Sequence, residues 1–468
     1  MRLCLPVFLF ALVGFLPTVT PANDSIDNFV RSEMQKKHIP GLSLVVIRNG
    51  RIIKSANYGL ANVELNVPVN DRTSFEIASM TKQFTAAALL LLVEDGKVRL
   101  DDSVTAYLAD LPSTWQDITI RRLLDHTSGL RDDWDEGNDF FLTKNSDEAF
   151  LDALKQQPLG FRPGERFSYS CGPFVVGMII SKVSGMPYAE FMRRRIFEPL
   201  GMTSTHINDA TRIVTNRASG YAYRNNTLQN GVRISPAAHA RADVGIRTTA
   251  LDLVKWDAAL NDERLLSRSS LNVMFSPTKL SNGDRVPSGL GWFLYPMRGH
   301  EVRQHGGGFR TGFNTTINRY PDAKLTIVLL TNLFRAGAND LGHKIAGFYI
   351  PEFRPLISRS ARSDMKPGRT VAMRRLLDSL RSRAEHAEGV AKNFPYRFYV
   401  ESDWTDLLDG ATSFKFIDCD DLNRRGVTFF GSRMSEICYY RLSENQERFV
   451  SFLFDEDGKV ALINPYEY

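Results

Sequence analysis

The chain has 468 residues, which is too long for one ordinary hydrophobic core, so its length predicts two folded domains. Its composition, 43% hydrophobic, 24% charged and 11% aromatic, is that of a globular protein and excludes an intrinsically disordered chain. The 58 basic and 53 acidic residues leave a formal charge of only +5, which gives no support to nucleic-acid binding.

The first predicted element is a secretory signal over residues 1–22. Arg2 supplies a positive start, residues 3–16 are almost wholly apolar, and residues 20–22 (Thr-Pro-Ala) offer small side chains for cleavage. The apolar run is shorter than a membrane-spanning helix usually needs, which favours cleavage over an uncleaved anchor. We therefore expect an exported protein, periplasmic or secreted, in a compartment that permits disulfides.

Cleavage would remove Cys4 and leave three cysteines. Cys419 and Cys438 lie in one C-terminal segment, and export allows them to form a disulfide. Cys171 would remain outside that pair, and it falls within a candidate catalytic motif described below.

Two β-rich runs at residues 41–47 and 51–58 flank Asn49-Gly50. Both turn residues tolerate positive φ angles, so this pattern predicts a β-hairpin. Residues 81–94 are then rich in alanine and leucine, which predicts a helix.

Between about residues 100 and 275 the pattern is mostly helical, for example at 174–183 and 251–260. Strand patterns return at residues 290–295, 302–305, 313–319 and 325–331. Early strands, a helical middle and late strands predict one α/β (α+β) domain. In it, an antiparallel sheet is flanked by helices and carries an inserted helical subdomain.

The C-terminal part is predicted to be a separate unit. Residues 351–370 are rich in proline, serine and arginine and predict a linker after a domain over residues 23–350. Helical spacing follows over 371–387, and strand patterns lie at residues 414–417, 427–430, 437–442, 449–454 and 460–463. We expect residues 371–468 to be an accessory α+β domain that covers a cleft or binds a partner. The basic stretch 354–383 is expected to be solvated, with contact to a cell-wall polymer or membrane surface as the alternative.

The segment 79–82 (Ser-Met-Thr-Lys) is the first candidate for chemistry. Residues three apart on a helix share a face, so the Lys82 amine can lie beside the Ser79 hydroxyl. A helix N-terminus adds N–H groups and partial positive charge where negative charge develops. A serine hydroxyl is a poor nucleophile until a neighbour takes its proton. The spacing alone is weak evidence, because residues 276–279 (Ser-Pro-Thr-Lys) match it with no helical run behind them.

Tyr169 is the second candidate, in the segment 167–172 (Phe-Ser-Tyr-Ser-Cys-Gly) before a helical run. A tyrosine can carry protons in catalysis, but a single tyrosine in such a segment is more often a packing aromatic. Its assignment therefore depends on the other motifs.

The third candidate is His305 with Gly306, Gly307 and Gly308. Consecutive glycines let the backbone approach a ligand and expose N–H donors, as an oxyanion site requires, although a plain glycine-rich turn is the alternative. The same string occurs in α/β-hydrolases, but those place it before a Gly-x-Ser-x-Gly elbow that this chain lacks. Metal-dependent hydrolysis is weakly supported, because His-Glu-x-x-His is absent and the eight histidines show no close ligand spacing.

Taken together and in order, the three motifs resemble those of the serine β-lactamase and penicillin-binding protein superfamily. The nearest branch is the class C β-lactamase-related hydrolases with their esterase and D-amino-acid peptidase relatives. The resemblance covers roughly residues 25–335, including the phrases 123–130 (Leu-Leu-Asp-His-Thr-Ser-Gly-Leu), 289–292 (Gly-Leu-Gly-Trp) and 321–322 (Pro-Asp). It implies a β-lactamase/transpeptidase-like fold and a chemistry that uses no metal or cofactor.

The resemblance also implies roles for individual residues. Ser79 would be the acylated nucleophile, Lys82 its partner and Tyr169 the proton shuttle. His305 would occupy the place often held by lysine, and the backbone N–H groups of Ser79 and Gly308 would form the oxyanion hole. The residues implied to bind substrate or oxyanion are Cys171, His305, Gly306, Gly307 and Gly308.

Cys171 is a departure from the family pattern. Most relatives have Tyr-x-Asn in the second motif, where the asparagine helps to hold the substrate amide and the catalytic lysine. A thiol is a weak donor and acceptor and cannot reproduce an amide's paired hydrogen bonds. We therefore expect efficient β-lactam hydrolysis to suffer, and we expect a reactive thiol if Cys171 lines the cleft.

The expected function is hydrolysis of an amide or ester through an acyl-enzyme on Ser79, with a small molecule or peptide as substrate. A D-amino-acid peptide or a small ester is the expected substrate class. One alternative is a catalytically impaired peptidoglycan- or penicillin-binding protein. Another is an interaction protein that acts through its C-terminal domain.

Overall fold

The computed structural model describes residues 21–131, 146–354, 363–364, 366–382, 388–391, 413–421, 428–429, 432–442 and 448–467. The predicted signal over residues 1–22 lies almost wholly outside the described residues, and the first described helix, α1, begins at Pro21. Within the described ranges, no helix combines the length and apolar character required to cross a membrane.

The principal sheet has eight antiparallel strands in the order β11-β12-β13-β14-β15-β1-β2-β3. Its strands are β1 (Gly41–Arg48), β2 (Arg51–Asn62), β3 (Val67–Pro68), β11 (Ser288–Gly289), β12 (Trp292–Met297), β13 (His300–Phe309), β14 (Phe313–Tyr320) and β15 (Leu325–Thr331). Strand β1 pairs with β15, so strands from near both ends of the predicted 23–350 domain share one sheet. This confirms the α/β expectation.

Helices cover both faces of the sheet and form the inserted helical region. They are α1 (Pro21–Lys36), α2 (Thr81–Glu94), α3 (Ile120–Leu124), α4 (Asp147–Lys155), α5 (Gly172–Ser184), α6 (Tyr188–Met192), α7 (Pro236–Ala240), α8 (Ala250–Ala259), α9 (Arg268–Met274) and α10 (Ala338–Ala346). Short strands lie among them: β4 (Phe75–Glu76), β5 (His206–Ile207), β6 (Tyr221–Arg224), β7 (Thr227–Asn230), β8 (Ile246–Thr248), β9 (Thr278–Lys279) and β10 (Arg285–Val286).

Helix α2 lies at the centre of the larger core. Residues 81–92 of this helix are all buried, including its polar side chains, as expected for a helix surrounded by protein. Phe84 stacks on Trp256 of α8 with ring centroids 4.0 Å apart. The Trp256 indole N–H also donates to Gln83 Oε1 at 2.6 Å. These contacts fix α2, and with it the residues at its N-terminus.

The described C-terminal residues form a second sheet and a helix. The sheet has the order β16-β18-β19-β20, with β17 paired to β18. Its elements are β16 (Lys415–Asp421), β17 (Thr428–Phe429), β18 (Ser432–Arg441), β19 (Arg448–Asp455), β20 (Val460–Glu467) and helix α11 (Pro367–Arg381). A disulfide joins Cys419 and Cys438 at opposed positions of β16 and β18, as the sequence allowed.

The two sheets touch at the turn between β12 and β13. Arg298 Nη1 lies 3.2 Å from Asp418 Oδ2, and its guanidinium lies 5.1 Å from the centre of the Tyr439 ring. Asp418 and Tyr439 directly flank the disulfide in sequence. The domain limits at residues 23–350, 351–370 and 371–468 stay predictions. Within the predicted linker, a short 3₁₀ turn spans Pro351–Phe353, residues 355–362 are not described, and α11 begins before residue 371.

Candidate active site

A strained turn presents Ser79 at the entrance of α2. Strand β4 ends at Glu76, and Ala78 then adopts a φ angle of +44°, which alanine rarely takes and which costs about 1–3 kcal/mol. Arg247 Nη2 donates to Glu76 at 2.7 Å, and Thr315 Oγ1 donates to the Ile77 carbonyl at 3.2 Å. These bonds hold the turn, which continues through Ser79 as a short 3₁₀ segment.

Lys82 reaches Ser79 as the sequence spacing predicted. Its Nζ lies 3.2 Å from Ser79 Oγ and donates a hydrogen bond to it. Lys82 is buried at 2% exposure, whereas Ser79 is only half-buried. A buried amine therefore stands directly beside a hydroxyl that a substrate can reach.

Tyr169 joins this pair from the loop before α5. Lys82 Nζ lies 5.0 Å from the centre of the Tyr169 ring. The backbone N–H of Ser170 donates to His126 Nδ1 at 3.1 Å, and the His126 and Tyr169 rings are 4.4 Å apart. His126 thus fixes the loop that carries the phenol. The Ser79 hydroxyl and the Tyr169 ring of the first two motifs therefore both lie beside the Lys82 amine.

His305 lies beside Tyr169 as a neutral imidazole. The centres of the two rings are 6.3 Å apart. The centre of the Phe293 ring lies 5.4 Å from that of His305 and 6.0 Å from that of Tyr169. Burial, followed by the positive charge of Lys82, lowers the His305 pKa to about 3. His305 Nδ1 lies 2.6 Å from the Gly306 carbonyl, to which it donates when the ring is neutral. At neutral pH this position carries no charge.

The three glycines are part of a strand. Gly306, Gly307 and Gly308 belong to β13 and pair with residues 314–316 of β14, so the glycine-rich turn considered from sequence is wrong. A Cβ atom on Gly307 would lie 1.9 Å from the Ile77 carbonyl oxygen. Only glycine lets this strand approach the turn before Ser79 so closely.

Cys171 lies at the N-terminus of α5 and is 1% exposed. Its thiol is outside the disulfide and belongs to the large hydrophobic core. Such burial favours an inert thiol over the reactive one expected if Cys171 lined the cleft, and its reactivity stays a prediction. A direct contact between Cys171 and substrate stays a prediction.

Asp243 is a site residue that the sequence reasoning missed. Its backbone oxygen accepts a hydrogen bond from Lys82 Nζ at 3.2 Å, and its carboxylate Oδ2 lies 3.7 Å from the same nitrogen. Arg241 Nε and Nη2 donate to the two Asp243 carboxylate oxygens, each at 2.9 Å. No local motif marks Asp243, because it lies 161 residues from Lys82 in the chain.

His126 was not singled out from the sequence, although it lies within the family-like segment 123–130. Its pKa is lowered well below 6.5, first by burial and then by the charge of Lys82. The ring is therefore neutral and serves as a hydrogen-bond acceptor for the Tyr169 loop. The resemblance of segment 123–130 to the family could have pointed to His126, but it assigned no role to an individual side chain.

Comparisons with known proteins agree with this geometry. The family model described as "Beta-lactamase" matches residues 26–348. "Penicillin-binding protein 4*" of Bacillus subtilis (strain 168) is 31% identical over 320 residues, which cover 64% of this chain and 69% of that protein. D-amino acid amidase from Ochrobactrum anthropi SV3, solved with L-phenylalanine, is 28% identical with a TM-score of 0.60 over 72% of this chain and 100% of that one.

A further solved structure matches nearly the whole chain. The octameric penicillin-binding protein homologue from Pyrococcus abyssi has a TM-score of 0.63 and 23% identity. The match covers 93% of this chain and 97% of that chain. At this identity the likeness concerns the fold alone.

Proposed function

Because the chain belongs to the Beta-lactamase family, we propose that it is a serine hydrolase that cleaves an amide or ester through an acyl-enzyme on Ser79. The observation that carries the proposal is the 3.2 Å hydrogen bond from buried Lys82 Nζ to Ser79 Oγ. A serine becomes a nucleophile when a neighbouring group takes its proton, and Lys82, with Tyr169 on its other side, supplies the candidate groups.

The reaction proceeds in two halves. Ser79 Oγ attacks the substrate carbonyl carbon while its proton passes to the Lys82–Tyr169 pair. The tetrahedral oxyanion is stabilised by the backbone N–H groups of Ser79 and Gly308, and its collapse expels the alcohol or amine, which takes up that proton. Water then attacks the Ser79 ester, releases the acid and returns the proton to Ser79 Oγ.

Features of the site favour a small ester or a D-amino-acid peptide or amide as substrate. The site has an aromatic side, where Tyr169 and Phe293 are stacked, and His305 beside them is neutral. Similarity to a D-amino acid amidase supports the amide branch of this substrate class. Cys171 cannot supply the hydrogen bonds of an amide side chain, which argues against efficient β-lactam turnover.

Turnover of p-nitrophenyl acetate or butyrate tests this function. We expect steady-state release of p-nitrophenol that is lost on Ser79→Ala, while Ser276→Ala, in the matching segment without a following helix, keeps wild-type activity. A panel of esters, β-lactams and D-amino-acid amides then orders the substrate classes. Equal turnover by wild-type protein and Ser79→Ala would overturn the proposal.

Cys171 supports a second candidate, a catalytically impaired peptidoglycan- or penicillin-binding protein that kept the fold. Such a protein would acylate Ser79 once and fail to release the product. Labelled penicillin bound in one equivalent, with no ester or amide turnover, would favour this candidate. We propose export for either function, on the basis of the apolar N-terminal segment.

A further inference from the structure

We propose that Asp243 is a positioning residue that holds Lys82 as a charged hydrogen-bond donor against Ser79. The inference rests on the proposed function, because it concerns how the same site handles its proton. It assigns to this aspartate the control of the pH at which the site becomes active.

The contacts of Lys82 define the arrangement. Its Nζ donates to Ser79 Oγ and to the Asp243 backbone oxygen, both at 3.2 Å, and the Asp243 carboxylate lies 3.7 Å away. Lys82 and Asp243 are 2% and 3% exposed, so water screens their interaction poorly. A backbone oxygen and a carboxylate on one residue thus hold the amine in place.

Asp243 supplies a negative charge directly beside the Lys82 amine. His126 and His305 are buried, and both have lowered pKa values to which the charge of Lys82 contributes. Tyr169 presents its ring face to the ammonium group, which is a cation–π contact. A negative charge this close favours the protonated form of an amine.

Arg241 sets the strength of this effect. Its two bonds to the Asp243 carboxylate orient that group and offset part of its charge. Asp147 and Tyr188 also lie within electrostatic reach of Asp243, and burial is the main cause that raises the pKa of each. The Arg241 guanidinium in turn lies 4.8 Å from the Phe150 ring and 4.9 Å from the Phe174 ring. Asp243 is therefore a fixed, partly neutralised anion, which can hold Lys82 without drawing it away from Ser79.

The test is the pH dependence of kcat/KM for a p-nitrophenyl ester in the full chain. Asp243→Asn keeps the shape and one acceptor oxygen but removes the charge. Without that charge the protonated form of Lys82 is less favoured, so the midpoints of the profile move to lower pH by about one unit. Asp243→Glu keeps the charge and keeps the midpoints. Each rate is divided by the concentration of active sites that react with a fluorophosphonate, so misfolded protein does not affect the comparison.

Arg241→Gln is expected to shift the midpoints in the opposite direction to Asp243→Asn. Removing the cation leaves the Asp243 charge less offset, so the midpoints move to higher pH, and this variant carries the test if Asp243→Asn does not fold. A lower rate with unchanged midpoints in these variants would mean that Asp243 only packs, and would overturn the inference. Failure of wild-type protein to form an adduct at Ser79 would instead refute the proposed function.

Discussion

At the scale of single residues, the site depends on how closely β13 approaches the turn before Ser79. Gly307 makes this approach possible, since any Cβ there would collide with the backbone oxygen of Ile77. The carbonyl is itself held by Thr315, so it cannot shift cheaply. The geometry of Ser79 is therefore coupled to a residue that takes no part in proton transfer.

Gly307→Ala is predicted to lower kcat/KM by about 100-fold, because displacing the turn by a fraction of an ångström misplaces Ser79 Oγ. Ester hydrolysis measured per folded molecule checks this. Gly160→Ala is the matched control, since its nearest neighbour would be Arg131 Cγ at an ordinary 3.5 Å. Wild-type activity in Gly307→Ala would contradict this role.

The sequence predicted the local part of the site and missed the distant part. Ser79 and Lys82 are three residues apart on a helical turn, so their contact follows from helix geometry. Asp243 reaches Lys82 from far along the chain, in a segment without periodic pattern or motif. The positive φ of Ala78 also has no sequence signature, because it is imposed by the elements around the turn.

At the scale of elements, α8 is tied to the principal sheet by a buried ion pair. Arg319 Nε of β14 donates to Asp257 Oδ1 at 2.7 Å, and Thr326 Oγ1 of β15 donates to the same oxygen at 2.9 Å. The Arg319 and Asp257 side chains are 5% and 3% exposed. Loss of either charge would leave the other uncompensated in the protein interior.

Asp257→Asn is predicted to lower the free energy of unfolding by about 3–5 kcal/mol, the usual cost of breaking a buried pair from one side. Denaturant unfolding followed by circular dichroism measures it. Asp262→Asn, in the exposed pair with Arg264, is the control and should change stability by less than about 1 kcal/mol. Equal effects of the two substitutions would show that the buried pair is unimportant.

Element boundaries were less predictable than element types. The pattern of residues 302–305 predicted a short strand, with a glycine-rich turn after it as one alternative, but β13 continues to Phe309. Glycine normally weakens a strand, yet pairing with β14 and the close contact with Ile77 override that local tendency. Helix α11 likewise begins at Pro367, inside the predicted linker, because proline is well tolerated in the first helical turn.

At the scale of the whole molecule, the sequence order alone predicted one sheet made from both ends of the larger region. Asp418 and Tyr439, beside the disulfide of the C-terminal sheet, hold Arg298 of the hairpin that also carries His305. This contact was not predictable, because a single arginine in a turn gives no indication of its partner. The disulfide therefore supports the surface by which the second sheet meets the first.

Replacing Cys419 and Cys438 together by serine is predicted to destabilise the C-terminal sheet by about 3 kcal/mol, since the bridge closes a loop of 19 residues. Hydrogen exchange should accelerate in β16 and β18 and at the β12–β13 turn, while α2 keeps its protection. Adding a reductant to the double variant should have no further effect. Unchanged exchange in these strands would contradict the prediction.

The proposed function requires that Ser79, beside the Lys82 amine and the Tyr169 ring, is the nucleophile. Incubation with a fluorophosphonate, followed by proteolysis and mass spectrometry, tests it most directly. We predict one adduct per chain on the peptide that contains Ser79, formed by wild-type protein and absent from Ser79→Ala. An adduct that persists in Ser79→Ala, or that maps to another serine, would show that Ser79 is not the nucleophile.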